Sequence, residues 1–179
     1  MPTSKIINIG LDMDGVIVDF MAPIYRHFKI LKKDCTTYKL EKLFPDKAKE
    51  ITEYYTKKGY FRNLVPYPGA LSFIKKLQRL NNTRVWFVSK PSKHSAYTWS
   101  DKIEWIMEYT PSLLMTTILT QDKSGAAVDV LVDDDPENLR ISPAKHKILF
   151  NQYWNKKDKE YDRVKNYREL YEKIKRIIK

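Results

Sequence analysis

The stretch Ile6-Ile7-Asn8-Ile9-Gly10-Leu11-Asp12-Met13-Asp14-Gly15-Val16-Ile17-Val18-Asp19-Phe20 decides how the rest of the chain is read. A short apolar run that ends in a turn signal has the marks of a buried strand. It delivers two aspartates, one residue apart, to the strand's carboxyl end, where open α/β sheets keep their ligand sites. Gly15 supplies a residue without a Cβ where the chain turns sharply. Two carboxylates this close repel each other, so the pair calls for a metal ion or a proton. Taken alone, the stretch reads equally well as a solvated acidic turn.

Working outward, the same kind of run returns four times: Arg84–Val88 ending at Ser89, Thr116–Thr120, Val128–Val132 ending at Asp133-Asp134-Asp135-Pro136, and Lys147–Phe150. Helical spacing of apolar residues separates them. Ala70, Leu71, Phe73, Ile74, Leu77 and Leu80 mark one helix; Ile103, Ile106 and Met107 a second; Tyr167, Leu170, Tyr171, Ile174, Ile177 and Ile178 a third. Asn166, with Glu169 three residues on, is suited to cap the last one. Strands alternating with helices imply right-handed βαβ units and a Rossmann-like parallel sheet, an α/β fold. Residues 20–64 carry helical spacing at Ile24, Tyr25, Phe28 and Leu31, a helix start at Pro45-Asp46, and no strong strand signal. They read as a small helical insertion, dividing the chain into a core of residues 1–19 and 65–179 and an inserted segment of 20–64.

Position is what separates the two readings of the opening stretch. Asp12 and Asp14, Ser89, Lys123, and Asp133 and Asp134 all fall at or just past the carboxyl ends of expected strands. In a parallel sheet those ends share one edge, so residues far apart in sequence converge there. Several carboxylates favour a hard cation, Mg²⁺ by default. A lysine and a hydroxyl facing such a cluster suit a phosphoryl group. A carboxylate can itself attack phosphorus, dividing one hard displacement into two.

Asp12-Met13-Asp14-Gly15, a hydroxyl residue closing the next core strand, a lysine and an acidic pair together resemble the haloacid dehalogenase-like phosphohydrolase superfamily. Longer stretches are similar to the 5'(3')-deoxyribonucleotidase family: Asp12 to Phe20, Tyr60-Phe61 through Pro68-Gly69-Ala70, Val88-Ser89-Lys90-Pro91-Ser92-Lys93, Leu119-Thr120-Gln121-Asp122-Lys123-Ser124 and Leu131-Val132-Asp133-Asp134-Asp135-Pro136. The resemblance implies a Mg²⁺-dependent phosphomonoesterase for deoxyribonucleoside monophosphates working through an aspartyl-phosphate. It implies Asp12 as nucleophile and metal ligand. Asp14 would be general acid, then base, and would lend its backbone carbonyl to the metal. Ser89 and Lys123 would hold the phosphoryl oxygens. Asp133 would complete the metal site, with Asp134 acting through a metal-bound water or on Lys123. The insertion becomes a cap, Phe20 the base-stacking aromatic, and Tyr60 or Phe61 an addition to that wall. Lys93 is the loop cation best suited to substrate phosphate, with a solvated side chain as the alternative. Two positions depart from the family: Lys90, where relatives commonly carry a small hydroxyl residue, and Asp135, where close relatives tend to be basic. Either departure bears on base preference or sugar discrimination.

Composition sets the outer limits. At 179 residues, 42% hydrophobic and 13% aromatic, the chain is a folded domain rather than a disordered one. The formal net charge of +11 favours anionic partners, whether nucleotides or nucleic acid. From Lys145 onward there are twelve Lys/Arg against five Asp/Glu, but no low-complexity basic run, which points to a solvated helix face. A sugar phosphate, another small phosphomonoester or a nucleic-acid phosphate end stands as the alternative substrate. A non-catalytic nucleic-acid-binding module is the reading from another class. The single cysteine, Cys35, allows no intrachain disulfide, and no apolar run approaches membrane-spanning length, so the expectation is a soluble cytoplasmic protein. Asp129 is expected inside a strand with its side chain at the edge, Asp135 at a helix start, Trp86, Trp99 and Trp105 in packing roles, and His27 and His146 in structural ones. His94 is expected to be solvated in its loop.

Overall fold

The computed structural model describes residues 5–179. In chain order the main elements are β1 (Ile7–Leu11), α1 (Met21–Phe28), α2 (Leu40–Leu43), α3 (Ala48–Tyr55), α4 (Ala70–Leu77), β2 (Thr83–Ser89), α5 (Tyr97–Tyr109), β3 (Thr117–Leu119), β4 (Val130–Asp133), α6 (Pro136–Ile141), β5 (His146–Phe150), β6 (Asp162–Val164) and α7 (Tyr167–Ile177). The strands form one parallel sheet in the order β3-β2-β1-β4-β5-β6. The chain runs outward from β1 through β2 to β3, then crosses back to lay β4 on the other side of β1. That reversal leaves a crevice at the carboxyl ends of β1 and β4, where such sheets hold ligands.

A parallel sheet is stable when both faces are covered, and alternate residues of each strand supply the two faces. Ile9, Leu11, Val85, Phe87, Val130, Val132 and Ile148 meet Phe73, Ile74 and Leu77 of α4, Trp105 and Ile106 of α5, and Leu170 and Ile174 of α7. The opposite face is thinner. There Val88, Leu131 and Leu149 meet Ala126, Val128 and Leu139, with Trp86 half-buried at the margin. Trp86 is therefore a border residue, its indole N–H donating to Asn8 Oδ1 at 2.9 Å.

The structure departs from the sequence expectations in four places. The edge strand β6 carries Asp162 and Arg163 with only Val164 buried, so it offers no apolar run to read; short charged strands of this kind are typical of sheet edges. β4 begins two residues later than expected and takes in Asp133. Asp129 thus precedes the strand, where its carboxylate accepts the Asn8 backbone N–H at 2.8 Å and pairs with Lys5 at 3.2 Å. In α5 the buried stripe is Thr98, Asp101, Lys102, Trp105 and Ile106, while Met107 is exposed. Trp99 also lies on the outer side of that helix rather than in packing.

The segment between β1 and α4 gathers around its own small cluster. Met21, Ile24, Tyr25, Cys35, Leu40 and Ile51 are buried together, with Phe20, Tyr55 and Tyr60 packed against both this cluster and the sheet core. Cys35 is an interior residue of that cluster despite its polar sequence neighbours. His27 stacks on the Tyr54 ring, centroids 4.2 Å apart. Asn166 caps α7 as its sequence suggests, its side-chain oxygen accepting the Glu169 N–H at 2.9 Å. Among the described residues, no helix is long and apolar enough to cross a membrane.

Candidate active site

Strand register brings the first acidic groups together. Leu11 of β1 lies opposite Val132 of β4, and the Asp12 N–H donates to the Val132 carbonyl at 2.9 Å. Asp12 therefore stands beside Asp133, the last residue of β4. Lys123 opens a tight turn after β3, held by Asp122 Oδ1 accepting the Ser124 N–H at 2.9 Å. Its side chain is fully buried, and Nζ lies 2.7 Å from Asp12 Oδ1 and 2.6 Å from Asp133 Oδ2. The other Asp133 oxygen accepts from the Asp135 N–H at 3.0 Å and Asn138 Nδ2 at 3.2 Å. Asp134 lies under the first turn, where Trp154 Nε1 donates to its Oδ2 at 2.7 Å. Gly15 has φ +73°, and a Cβ there would stand 2.6 Å from the Asp134 carboxyl. Both the backbone conformation and the close approach require glycine at this position.

One oxygen from each of Asp12, Asp133 and Asp134 can be chosen so that all three lie within 4.8 Å of one another. Three buried carboxylates face a single ammonium there. Burial, reinforced by the charges of Asp133 and Asp12, pushes the Asp134 carboxyl well above the usual range. Burial likewise moves Asp133 up to about 6, against the pull of Lys123. For Lys123 burial works downward, but Asp12 and Asp133 outweigh it and hold the ammonium above its ordinary value. An oxygen-only donor set with excess negative charge fits a hard divalent cation, because added positive charge there offsets both the burial and the mutual repulsion that raise these groups.

A second pairing lies alongside. Ser89 ends β2 fully buried, and Lys102 of α5 is 1% exposed. Lys102 Nζ donates to Asp14 Oδ2 at 2.6 Å and to Ser89 Oγ at 3.2 Å, and it lies 4.6 Å from the centre of the Phe61 ring. Burial raises the Asp14 carboxyl; the Lys102 charge opposes this and the Asp12 charge adds to it.

Above these groups opens a cavity of about 340 Å³. Asp12, Asp14 and Asp134 line its floor, and Ser89, Lys123 and Asp133 lie beneath it, buried. Phe20, Ile24, Leu40, Ile51, Tyr55 and Phe61 make an apolar wall, and Lys90, Lys93 and His94 stand on the rim. His94 is thus a rim residue of the site. Phe20 and Phe61 are stacked, centroids 5.6 Å apart at 21°. Tyr60 does not line the cavity; its hydroxyl donates to the Phe20 carbonyl and its ring supports Phe20 edge-on at 5.8 Å.

Several residues that complete the site carry no motif. Asp101 and Lys102 lie four and three residues before Trp105, in phase with Trp105 and Ile106 on the buried stripe. A charged pair in phase with a core tryptophan is the signal that could have found them. Asp101 Oδ2 accepts the Phe61 N–H at 3.2 Å. Gln152 Nε2 donates to the Gly15 carbonyl at 2.6 Å, and with Trp154 it brings the chain after β5 onto the first turn. These loop residues have no periodicity to betray them.

The matching of whole chains agrees with this geometry. Residues 5–178 match the family model described as 5' nucleotidase, deoxy (pyrimidine), cytosolic type C protein. The chain belongs to that family. Its relatives include the mitochondrial 5'(3')-deoxyribonucleotidase of Mus musculus, 29% identical over 168 residues, which cover 86% of this chain and 76% of the relative. The cytosolic-type 5'(3')-deoxyribonucleotidase of Homo sapiens is 28% identical over 162 residues, 82% of this chain and 81% of that one. A haloacid dehalogenase-like hydrolase from Streptococcus pneumoniae shares the fold, with a TM-score of 0.59 at 12% identity over 96% of this chain and all of that one. Membership in the nucleotidase family makes the chain a phosphoric monoester hydrolase. Lys90 and Asp135, the two positions expected to depart from the family, are both engaged in the structure. Lys90 Nζ donates to Asn138 Oδ1 at 3.3 Å. Asp135 caps α6 through Oδ1, at 3.0 Å from the Glu137 N–H, and accepts from the Tyr38 hydroxyl through Oδ2 at 2.9 Å.

Proposed function

We propose that this nucleotidase-family protein is a Mg²⁺-dependent phosphatase of deoxyribonucleoside monophosphates, acting in the cytoplasm through an aspartyl-phosphate. The observation that carries the reading is the meeting of Asp12, Asp14, Ser89 and Lys123 at one sheet edge, beneath a cavity whose wall is aromatic. Asp12 attacks phosphorus, a bond forms between its carboxylate oxygen and phosphorus, and the bond from phosphorus to the sugar oxygen breaks. Asp14 gives its proton to that departing oxygen, and its raised affinity for the proton suits it to do so. It then takes a proton from the water that hydrolyses the aspartyl-phosphate. Ser89 and Lys123 donate to the phosphoryl oxygens, where charge grows.

Asp12 and Asp133 would hold the divalent cation, with the Asp14 carbonyl, and Asp134 would act at one remove. When bound, the ion supplies positive charge that offsets the carboxylates and the incoming phosphate. Residues 20–64 serve as a cap, closing Phe20 and Phe61 over the nucleobase; apolar walls with few polar contacts suit such a ligand. Lys90 and Lys93 stand where the phosphate enters. The test is phosphate release across a panel of deoxy- and ribonucleoside monophosphates and sugar phosphates, with Mg²⁺ or with EDTA. Activity highest on deoxyribonucleoside monophosphates, lost with EDTA, and lowered below about a thousandth in Asp12→Asn is the expected result. No nucleotide turnover with Mg²⁺ present defeats the reading.

A further inference from the structure

α5 carries two buried charges that the chemistry above leaves without a task. Asp101 and Lys102 are each 1% exposed and occupy the helix stripe that otherwise holds Trp105 and Ile106. A lysine is rarely so buried unless a partner holds it there. Asp101 turns to the Phe61 backbone, and Lys102 turns to Asp14 and Ser89. One helix turn thus grips both the aromatic wall and the floor.

The Asp14 carboxyl is divided by this contact. Oδ2 is committed to Lys102, while Oδ1 is buried and hydrogen-bonded to no described residue. We infer that Lys102 is a positioning residue for Asp14: anchored to Ser89, it pins Oδ2 and so holds the carboxyl at the cavity floor in the orientation from which its proton reaches the sugar oxygen. In the step concerned, the bond from phosphorus to the sugar oxygen breaks and its electron pair stays on that oxygen. The proton on the Asp14 carboxyl moves there, and Asp14 is left as a carboxylate beside the Lys102 ammonium. Lys102 neither touches the phosphorus nor exchanges a proton itself. The Phe61 ring against the ammonium closes off its remaining side and keeps the side chain from turning away.

This inference rests on the phosphatase reading, and leaving-group chemistry separates the two. A deoxyribonucleoside leaves as a poor alkoxide and needs the proton, whereas p-nitrophenolate leaves without one. The measurement is kcat/KM for thymidine 5'-monophosphate and for p-nitrophenyl phosphate, which covers steps through transfer to Asp12 and is blind to later hydrolysis. Lys102→Met keeps the length of the side chain and removes the donor. It is expected to lower kcat/KM on the nucleotide roughly 100-fold, within the usual reach of a positioned acid, while p-nitrophenyl phosphate changes less than about threefold. Lys102→Gln, which still has an N–H to offer Asp14 Oδ2, is expected to recover part of the nucleotide activity, and it carries the same comparison if the methionine variant folds poorly. Equal losses on both substrates, or no loss on either, overturn the positioning role while a wild type active on both leaves the phosphatase reading standing. A wild type inactive on both substrates defeats that reading, and this inference with it.

Discussion

The carboxyl edge of the sheet and the helical segment above it are built from opposite materials. The edge is ionic: Asp12, Asp14, Asp133 and Asp134 against Lys102 and Lys123, each lysine fully or almost fully buried and bonded to a carboxylate at 2.6–2.7 Å. The segment is aromatic and aliphatic, with Phe20, Tyr54, Tyr55 and Tyr60 meeting edge-on around a small cluster of their own. Charges held in a low-dielectric site must be fixed by strand ends, because a misplaced buried charge is costly. Rings tolerate small shifts better than buried charges do, since each of their contacts is individually weak. In the proposed function the rigid floor does the chemistry and the more adaptable wall meets the nucleobase.

The largest effect should come from breaking the floor. Lys123→Met leaves Asp12 and Asp133 buried without their shared ammonium, a loss of about 3–5 kcal/mol for a broken buried pair, or roughly 10 °C in melting temperature for a chain of this size. Mg²⁺ should restore part of that stability in the variant, because it supplies charge to the same carboxylates. Activity should stay absent, since in the proposed mechanism Lys123 also donates to phosphoryl oxygens, which the ion cannot do in its place. Calorimetry with and without Mg²⁺, paired with phosphate release, separates the two roles. A variant as stable as wild type without metal would show that the floor is less dependent on its charges than its burial implies.

The floor was legible in the sequence because its residues sit at strand ends. Asp12, Ser89, Lys123 and Asp133 each follow an apolar run, and a parallel sheet leaves those ends one place to meet. The succession of core strands, the helices α4, α5 and α7 and the Asn166 cap follow from local sequence pattern in the same way. Lys102 was not legible, although it is as buried as Lys123, because in α5 Ile103 and Met107 suggest a stripe rotated away from the true one. What settles the phase is Trp105, whose indole donates to the Leu64 carbonyl at 2.8 Å, a contact between distant segments that no local pattern records. β6 escaped for a different reason: two of its three residues are charged, and it owes its strand form to pairing with β5. Trp154 and Gln152 lie in a loop whose form is set by where it must reach.

A smaller effect should come from the wall. Phe20→Ala removes a ring that stacks on Phe61 and lines the cavity while leaving every floor group in place. Stacking of a base on an aromatic side chain contributes about 1–3 kcal/mol, so KM for thymidine 5'-monophosphate should rise roughly tenfold with kcat little changed. Deoxyribose 5-phosphate, which has no base, should be turned over by wild type and variant alike. An equal rise in KM for both substrates would mean that Phe20 shapes the floor rather than the wall.

The smallest effect tests the bond between the two regions. Tyr38 belongs to the helical segment and Asp135 to the start of α6, and their hydrogen bond joins the cavity's two sides across 97 positions of sequence. Asp135→Asn would disturb the α6 cap as well as the bridge, since the other oxygen accepts from Glu137. Tyr38→Phe removes the bridge alone, because the ring remains and Asp135 keeps its helix contact. A hydrogen bond to a charged group contributes about 1.5–3 kcal/mol when well formed. Here part of that returns as solvation, because Asp135 is half-exposed and water can take the place of the hydroxyl. If the bridge steadies the closed segment, KM for the nucleotide should rise about two- to fourfold, an upper share of what remains after solvation. The melting temperature should barely move, since neither hydrophobic cluster is touched. An unchanged KM would mean that the segment is held over the site by its aromatic packing through Phe20, Tyr55 and Tyr60 alone, with Asp135 serving only to begin a helix.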